Sequence, residues 1–207
     1  MFHDRLEAGK ILAQELSAYL RTNRALVLAI PRGGIVVAAE VAKALHLPLD
    51  VLVIKKLGFP GNEELAVGAV GLNEKYLNQE LLNSPEVTKE FLATEIKRKQ
   101  REVKERYARL RGKRKMYSVR DKIVIVVDDG IATGATMFLA LQILRKQKPR
   151  KLIVAVPVAP PETVSRLQQI ADEVVALEQP LYLGAIGQWY ERFEPVEERE
   201  AKQLLHL

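Results

Sequence analysis

The 207-residue sequence contains no cysteine, so disulfides, thiolate nucleophiles and cysteine-based zinc sites are excluded together. It also lacks any apolar run approaching the ~20 residues needed to span a bilayer, and its N-terminus, MFHDRLEAGK, has no apolar centre of a secretory signal. A cytoplasmic protein without membrane contact is expected. Two nucleotide signatures are missing as well. Neither GxGxxG nor GxxxxGK[ST] occurs, so dinucleotide-fold dehydrogenases, methyltransferases and P-loop NTPases lack their fingerprint. The three histidines, His3, His46 and His206, show no metal-ligand spacing.

What is present suits a globular chain: 48% hydrophobic and 28% charged residues, enough apolar material for a sizeable core. The net charge of +6 is uneven. Between Lys97 and Lys115 stand eleven basic residues and two acids, a local +9 that leaves the remainder at −3. A uniformly basic nucleic-acid binder is not indicated. Aromatic interleaving is almost absent from that segment, so a solvated helix, its Lys and Arg stems covering apolar surface, is favoured over a nucleic-acid surface.

Periodicity predicts a helix over 2–20 with an apolar face of Phe2, Leu6, Ile11, Leu12, Leu16 and Leu20. A doubly buried strand follows at 25–30, a helix at 35–45 and a second buried strand at 49–54. Gly58 to Asn62 reads as a turn-rich loop, and 65–70 with 76–82 as a short hairpin. Ser84-Pro85-Glu86 reads as the start of a long helix ending at Gly112, with Leu92, Ile96, Val103, Tyr107 and Leu110 on one narrow stripe. Strands at 123–127, 152–158 and 173–177 alternate with helices at about 136–147 and 162–170, and a polar helix starts near Val196. The expected fold is α/β, a mainly parallel central sheet flanked by helices, in one domain spanning 1–207. The flexible loop, hairpin and long helix occupy 58–112, and 178–207 is a candidate hood.

Ligands of open parallel sheets sit beyond the carboxyl ends of the strands. Two turns at that edge have unusual composition. In Asp128-Asp129-Gly130-Ile131-Ala132-Thr133-Gly134-Ala135-Thr136, small residues at a helix start let backbone amides and the helix dipole approach a phosphate, and Thr133 and Thr136 add hydroxyls. The acids just upstream suit sugar hydroxyls or a hydrated divalent metal. In Pro31-Arg32-Gly33-Gly34, the glycines permit positive φ and close backbone approach, and Arg32 supplies a permanent charge for bidentate phosphate contact. Together they suit a ligand with phosphate at both ends and hydroxyls between.

Residues 124–136, VIVVDDGIATGAT, resemble the 13-residue phosphoribosyl-pyrophosphate signature of the type I phosphoribosyltransferases. PRGG at 31–34 resembles that family's pyrophosphate loop. IKKLG at 54–58, ELAVGAV at 64–70 and AVPVAPP at 155–161 are similar to a subgroup whose acceptor is undefined. The resemblance implies a Mg²⁺-dependent enzyme taking ribose 5-phosphate from phosphoribosyl pyrophosphate to a nitrogenous acceptor. Asp128 and Asp129 would hold the ribose hydroxyls and touch the metal only indirectly, and the loop Ala132, Thr133, Gly134, Ala135, Thr136 would hold the 5′-phosphate. Arg32, Gly33 and Gly34 would contact pyrophosphate through a cis Pro31–Arg32 peptide. Lys55 and Lys56 are further pyrophosphate candidates, and the loop from Gly58 would close over the reactants. Tyr182 and Trp189 are candidates for stacking on a base.

One departure concerns the acceptor. Purine-salvage members carry an acid where this chain has Ala132. The competing reading is a regulator of the same fold that senses phosphoribosyl pyrophosphate and binds nucleic acid through 97–115. A homodimer is compatible with the resemblance and with an exposed stripe on the long helix.

Overall fold

The computed structural model describes every residue except Lys113, Lys115 and Leu207, and every side chain of those residues except that of Glu64. The basic segment's Lys113 and Lys115 therefore lie outside the described residues.

The N-terminal helix α1 (Arg5–Glu15) is capped by Asp4, whose carboxylate accepts from the Glu7 amide at 2.9 Å. It is shorter than its periodicity predicts, and only part of the expected face is covered, with Phe2, Leu12 and Leu16 buried. Leu6 and Ile11 are exposed, at 42% and 36%, whereas Arg5, Ala8, Gly9, Leu12 and Ala13 face inward. The reason is close helix packing. A Cβ on Gly9 would stand 2.8 Å from the Val37 carbonyl oxygen, so small residues mark the buried side better than large apolar ones.

Strand β1 (Ala25–Ala29) leads to α2 (Gly34–Leu45) and β2 (Leu49–Val51). The expected strand to Ile54 stops at Val51. Instead a second, antiparallel sheet begins with β3 (Lys55–Phe59), β4 (Asn62–Val70) and β5 (Lys75–Leu77). Gly58 to Asn62 is thus no irregular loop but the end of a β-hairpin, turning at Pro60-Gly61 with Gly61 at φ 77°. The expected strand 76–82 is only 75–77, followed by the single-turn helix α3 (Gln79–Leu82).

The long helix α4 (Lys89–Arg111) starts five residues after Ser84. Ser84 gives its hydroxyl to the Glu86 carboxylate, and Thr88 is the cap, accepting from the Phe91 amide at 3.1 Å. Gly112, at φ 59°, ends the helix. Its apolar stripe is not exposed. Val103, Tyr107 and Leu110 are buried, and Leu92 and Ile96 pack against the same core, so the stripe makes no case for a dimer. Several of its cations are paired: Arg98 with Glu95 and Glu102, Arg101 with Glu105, Arg109 with Glu198, and buried Arg111 with Asp50 at 2.8 Å.

Tyr107 ties α4 to the main chain by accepting the Val53 amide at 3.0 Å, and burial pushes its phenol up to about 12. Tyr107→Phe leaves that amide buried without a partner and should cost ~1–3 kcal/mol, measured by urea denaturation.

The second half alternates regularly: β6 (Ile123–Val127), α5 (Ala135–Lys146), β7 (Lys151–Val158), α6 (Pro161–Leu167), β8 (Glu173–Glu178) and, after a 3₁₀ turn, α7 (Glu198–Leu205). The parallel sheet runs β2-β1-β6-β7-β8. Alternate residues face two cores. Val27, Ile125 and Ile153 point toward α1 and α2; Leu28, Val126 and Val154 point toward α5 and α6. Both faces are covered, which is why these strands are apolar throughout. No helix among the described residues is long and apolar enough to cross a membrane.

The chain runs from β1 outward to β2, then returns to β6 on the other side of β1. The carboxyl ends of β1 and β6 therefore flank the topological switch point, where open α/β sheets bind ligands. Ala29 pairs with Val127, so Ile30 to Gly34 and Asp128 to Thr136 leave the sheet side by side.

Candidate active site

The two turns interlock. The Pro31–Arg32 peptide is cis, and the chain then passes directly against the acid pair. A Cβ on Gly33 would lie 1.8 Å from Asp129 Oδ2, and one on Gly34 would lie 2.7 Å from both Asp128 Cα and Oδ1. Close approach, not positive φ, is what requires glycine here: Gly33 has φ −57°.

The acids are not equivalent. Asp129, only 9% exposed, accepts from Arg5 Nε at 2.7 Å. Arg5 also donates to the Glu194 carbonyl at 2.9 Å and lies over the Phe193 ring, 3.7 Å from its centroid. Tyr190 donates its hydroxyl to the Asp129 carbonyl at 2.6 Å, and burial pushes its phenol upward. Asp128 accepts the Asp129 amide at 2.9 Å and lines the cavity. Burial, followed by the neighbouring Asp129 charge, holds its carboxyl well above the usual range.

The turn into α5 follows. Gly134, at φ 70°, is the N-cap of α5 and adopts a conformation L-residues resist. The Ala132 carbonyl accepts from Thr163 Oγ1 at 2.8 Å, and the Thr133 carbonyl accepts from Arg166. With its carbonyls turned away toward α6, the loop leaves Thr133, Thr136 and the first amides of α5 around a cavity of about 200 Å³ shared with Asp128 and Ile186.

Beside it lies a second cleft of about 530 Å³ between the β3–β4 hairpin and α4, lined among others by Lys55, Lys56, Phe91, Lys99 and Thr136. Thr136 borders both spaces. Lys55 is paired with Glu102 at 3.1 Å. Of the aromatics expected to stack on a base, Tyr182 is 93% exposed, and Trp189 packs on a cluster containing Phe2 and Tyr190. It is Ile186, not an aromatic, that covers Gly130.

Among the described residues no cluster of three or more His, Asp or Glu side chains could hold a metal alone. With Asp129 engaged by Arg5, the donor set fits a cation carried mainly by a ligand's own oxygens.

Arg5, Tyr190, Thr163, Arg166 and Ile186 were not identifiable from motifs. Arg5 stands 124 residues from its partner Asp129. The one local signal was a charge in the stripe Arg5, Ala8, Leu12, whose spacing puts it on a buried face.

Residues 2–187 match the family model described as the phosphoribosyl transferase domain. Two curated Mycobacterium tuberculosis proteins, provisionally named as phosphoribosyl transferases, are 40% identical over 206 residues, covering 99% of this chain. The chain spans only 46% of their length, about half. The crystal structure of TT1426 from Thermus thermophilus is similar at 40% identity and a TM-score of 0.89, over 99% of this chain and 97% of that one. AQ2163 from Aquifex aeolicus, 15% identical, shares the fold at a TM-score of 0.53 over 88% of this chain and 78% of its own. A signature loop at the sheet's switch point and a family match over nearly the whole length lead to one conclusion: the chain belongs to the phosphoribosyl transferase domain family.

Proposed function

We propose that the protein transfers ribose 5-phosphate from phosphoribosyl pyrophosphate to a nitrogenous acceptor, with release of pyrophosphate. The observation supporting this is the interlocking of Gly33 and Gly34 with Asp129 and Asp128, which sets an arginine-bearing turn against an acid pair, one member of which lines the cavity at the start of α5.

In this reading the amides of Ala135 and Thr136, with Thr133, hold the 5′-phosphate. Asp128 accepts hydrogen bonds from the ribose hydroxyls, and Asp129, fixed by Arg5, keeps it in place. The bond from the anomeric carbon to the pyrophosphate oxygen breaks, and the acceptor nitrogen's lone pair forms the new bond at that carbon. Charge builds on the departing diphosphate, so Arg32 stabilises the transition state more than the ground state. Mg²⁺ bound to the diphosphate, within reach of Asp128 through water or a ribose hydroxyl, would supply further charge neutralisation. The β3–β4 hairpin, with Lys55 and Lys56, borders the groove and would shield the activated sugar from water.

The test is a pyrophosphate-release screen with purine, pyrimidine and small-acid acceptors in Mg²⁺ buffer. Turnover with one acceptor class is expected. No release with any acceptor, together with no phosphoribosyl pyrophosphate binding, would overturn the proposal.

Tyr182 offers a separate prediction. Almost fully exposed, it contributes no packing, so Tyr182→Ala should leave the melting temperature unchanged. If it stacks on the acceptor it should raise the acceptor KM by ~5–100-fold, the worth of one base–aromatic contact. An unchanged acceptor KM removes Tyr182 from the hood.

A further inference from the structure

Helix α4 brings to the β1–α2 turn a cation that no motif contains. Arg106 is half-buried, and its guanidinium reaches the Pro31 carbonyl through a single long contact of 3.5 Å. Among the described residues it has no carboxylate within ion-pair distance, and neither has Arg32. The two guanidiniums repel: Arg32 is the charged group that most disfavours the protonated form of Arg106, after burial itself. Arg109 adds to that repulsion, and the one acid that relieves it, Glu198, is already bound to Arg109 at 2.8 Å. Arg106 thus bears desolvation and like-charge repulsion, offset only by the Pro31 carbonyl and by a Glu198 it shares with Arg109. A guanidinium presents five N–H donors, and the Pro31 carbonyl takes one of those of Arg106. A bound anion beside Arg32 would relieve the repulsion between the two guanidiniums and accept from the forked donors of both.

We propose that Arg106 is a second diphosphate-binding residue, closing from α4 on the group that Arg32 meets from the β1–α2 turn. The identity of the anion rests on the transferase reading above. The +9 segment then has two uses: most of its paired cations hold α4 in place, and Arg106 faces the site.

Isothermal titration of the intact protein in Mg²⁺ buffer, with phosphoribosyl pyrophosphate, inorganic pyrophosphate and ribose 5-phosphate as separate titrants, tests this. Arg106→Gln should weaken the first two by ~10–100-fold, the worth of a charged hydrogen bond, and leave ribose 5-phosphate within about twofold. Arg106→Lys keeps the charge and most of the stem but loses the fork, and should fall between. Lys104→Gln, an equal charge change at an exposed position of the same helix, should alter none of the three. Unchanged pyrophosphate binding in Arg106→Gln overturns the assignment, as does an equal loss for all three ligands. So does a wild-type chain that binds neither diphosphate. A wild type that binds pyrophosphate through Arg106 but not phosphoribosyl pyrophosphate would sustain the assignment and withdraw the transferase reading.

Discussion

Gly33→Ala should lower phosphoribosyl pyrophosphate affinity by about a hundredfold or more and destabilise the fold by ~3 kcal/mol or more. The added Cβ would meet Asp129 Oδ2 at 1.8 Å, Asp129 Cγ at 2.6 Å and Arg5 Nε at 3.1 Å. No rotamer change relieves all three, because Asp129 is held by Arg5 and its backbone carbonyl by Tyr190. Either the turn bearing Arg32 moves off the acid pair, or the buried Arg5–Asp129 pair opens. The first separates the two halves of the proposed site; the second leaves an uncompensated buried charge. Gly112→Ala is the informative control. A Cβ there meets nothing within 4 Å among the described residues, and only the backbone conformation, φ 59° with ψ −127°, is penalised, by ~1–3 kcal/mol. It should melt earlier and bind normally. Thermal denaturation and calorimetric binding of both variants decide the matter. Normal binding by Gly33→Ala would mean that close approach of the two turns is not needed.

The central strands were readable because burial on both faces leaves nearly continuous apolar runs, and Ala25 to Ala29 and Ile123 to Val127 carry no other signal. The turn at 128–136 was readable because its chemistry is local, nine consecutive residues doing one thing. The antiparallel sheet was harder to see. In Lys55 to Phe59 only Leu57 is buried, two lysines and a glycine mask the alternation, and register shifts around Gly58 break the period. Ser84-Pro85-Glu86 misled because its side chains bond to one another rather than to a helix end. The plainer Thr88 satisfied the orphan amide of Phe91.

What the sequence withheld about the site is long-range. Asp128 and Asp129 are adjacent and chemically identical, and a motif treats them alike. Only the arrival of Arg5 from the first helix and Tyr190 from the C-terminal region separates them. The glycines of the β1–α2 turn stand out by residue type, but the reason for them is a neighbour nearly a hundred residues away rather than their own backbone angles. Likewise Arg106 is one of eleven cations in its segment, and nothing in the order of residues sets it apart.

That asymmetry between the acids predicts opposite outcomes for two isosteric changes. Asp128→Asn removes a carboxyl whose charge is disfavoured by burial and by Asp129, so the fold should be as stable as wild type or more so. The amide accepts hydrogen bonds more weakly and no longer offers two equivalent oxygens to a sugar diol. Transfer activity should therefore fall by roughly a hundredfold or more, the scale of one to two charged hydrogen bonds. Asp129→Asn should do the reverse in stability. It strips the negative charge from a guanidinium that is itself buried, and breaking such a pair from one side costs ~3–5 kcal/mol, less whatever the Asn oxygen still accepts. Arg5→Met, tested alone and with Asp129→Asn, completes the cycle. Because the two side chains share one interaction, the double variant should be more stable than the sum of the singles allows, by ~0.5–3 kcal/mol. Denaturant midpoints and phosphoribosyl pyrophosphate binding on the four proteins give both axes. An Asp128→Asn protein that binds and turns over normally would leave the diol without its proposed acceptor, and an Asp129→Asn protein as stable as wild type would remove Arg5 from the argument.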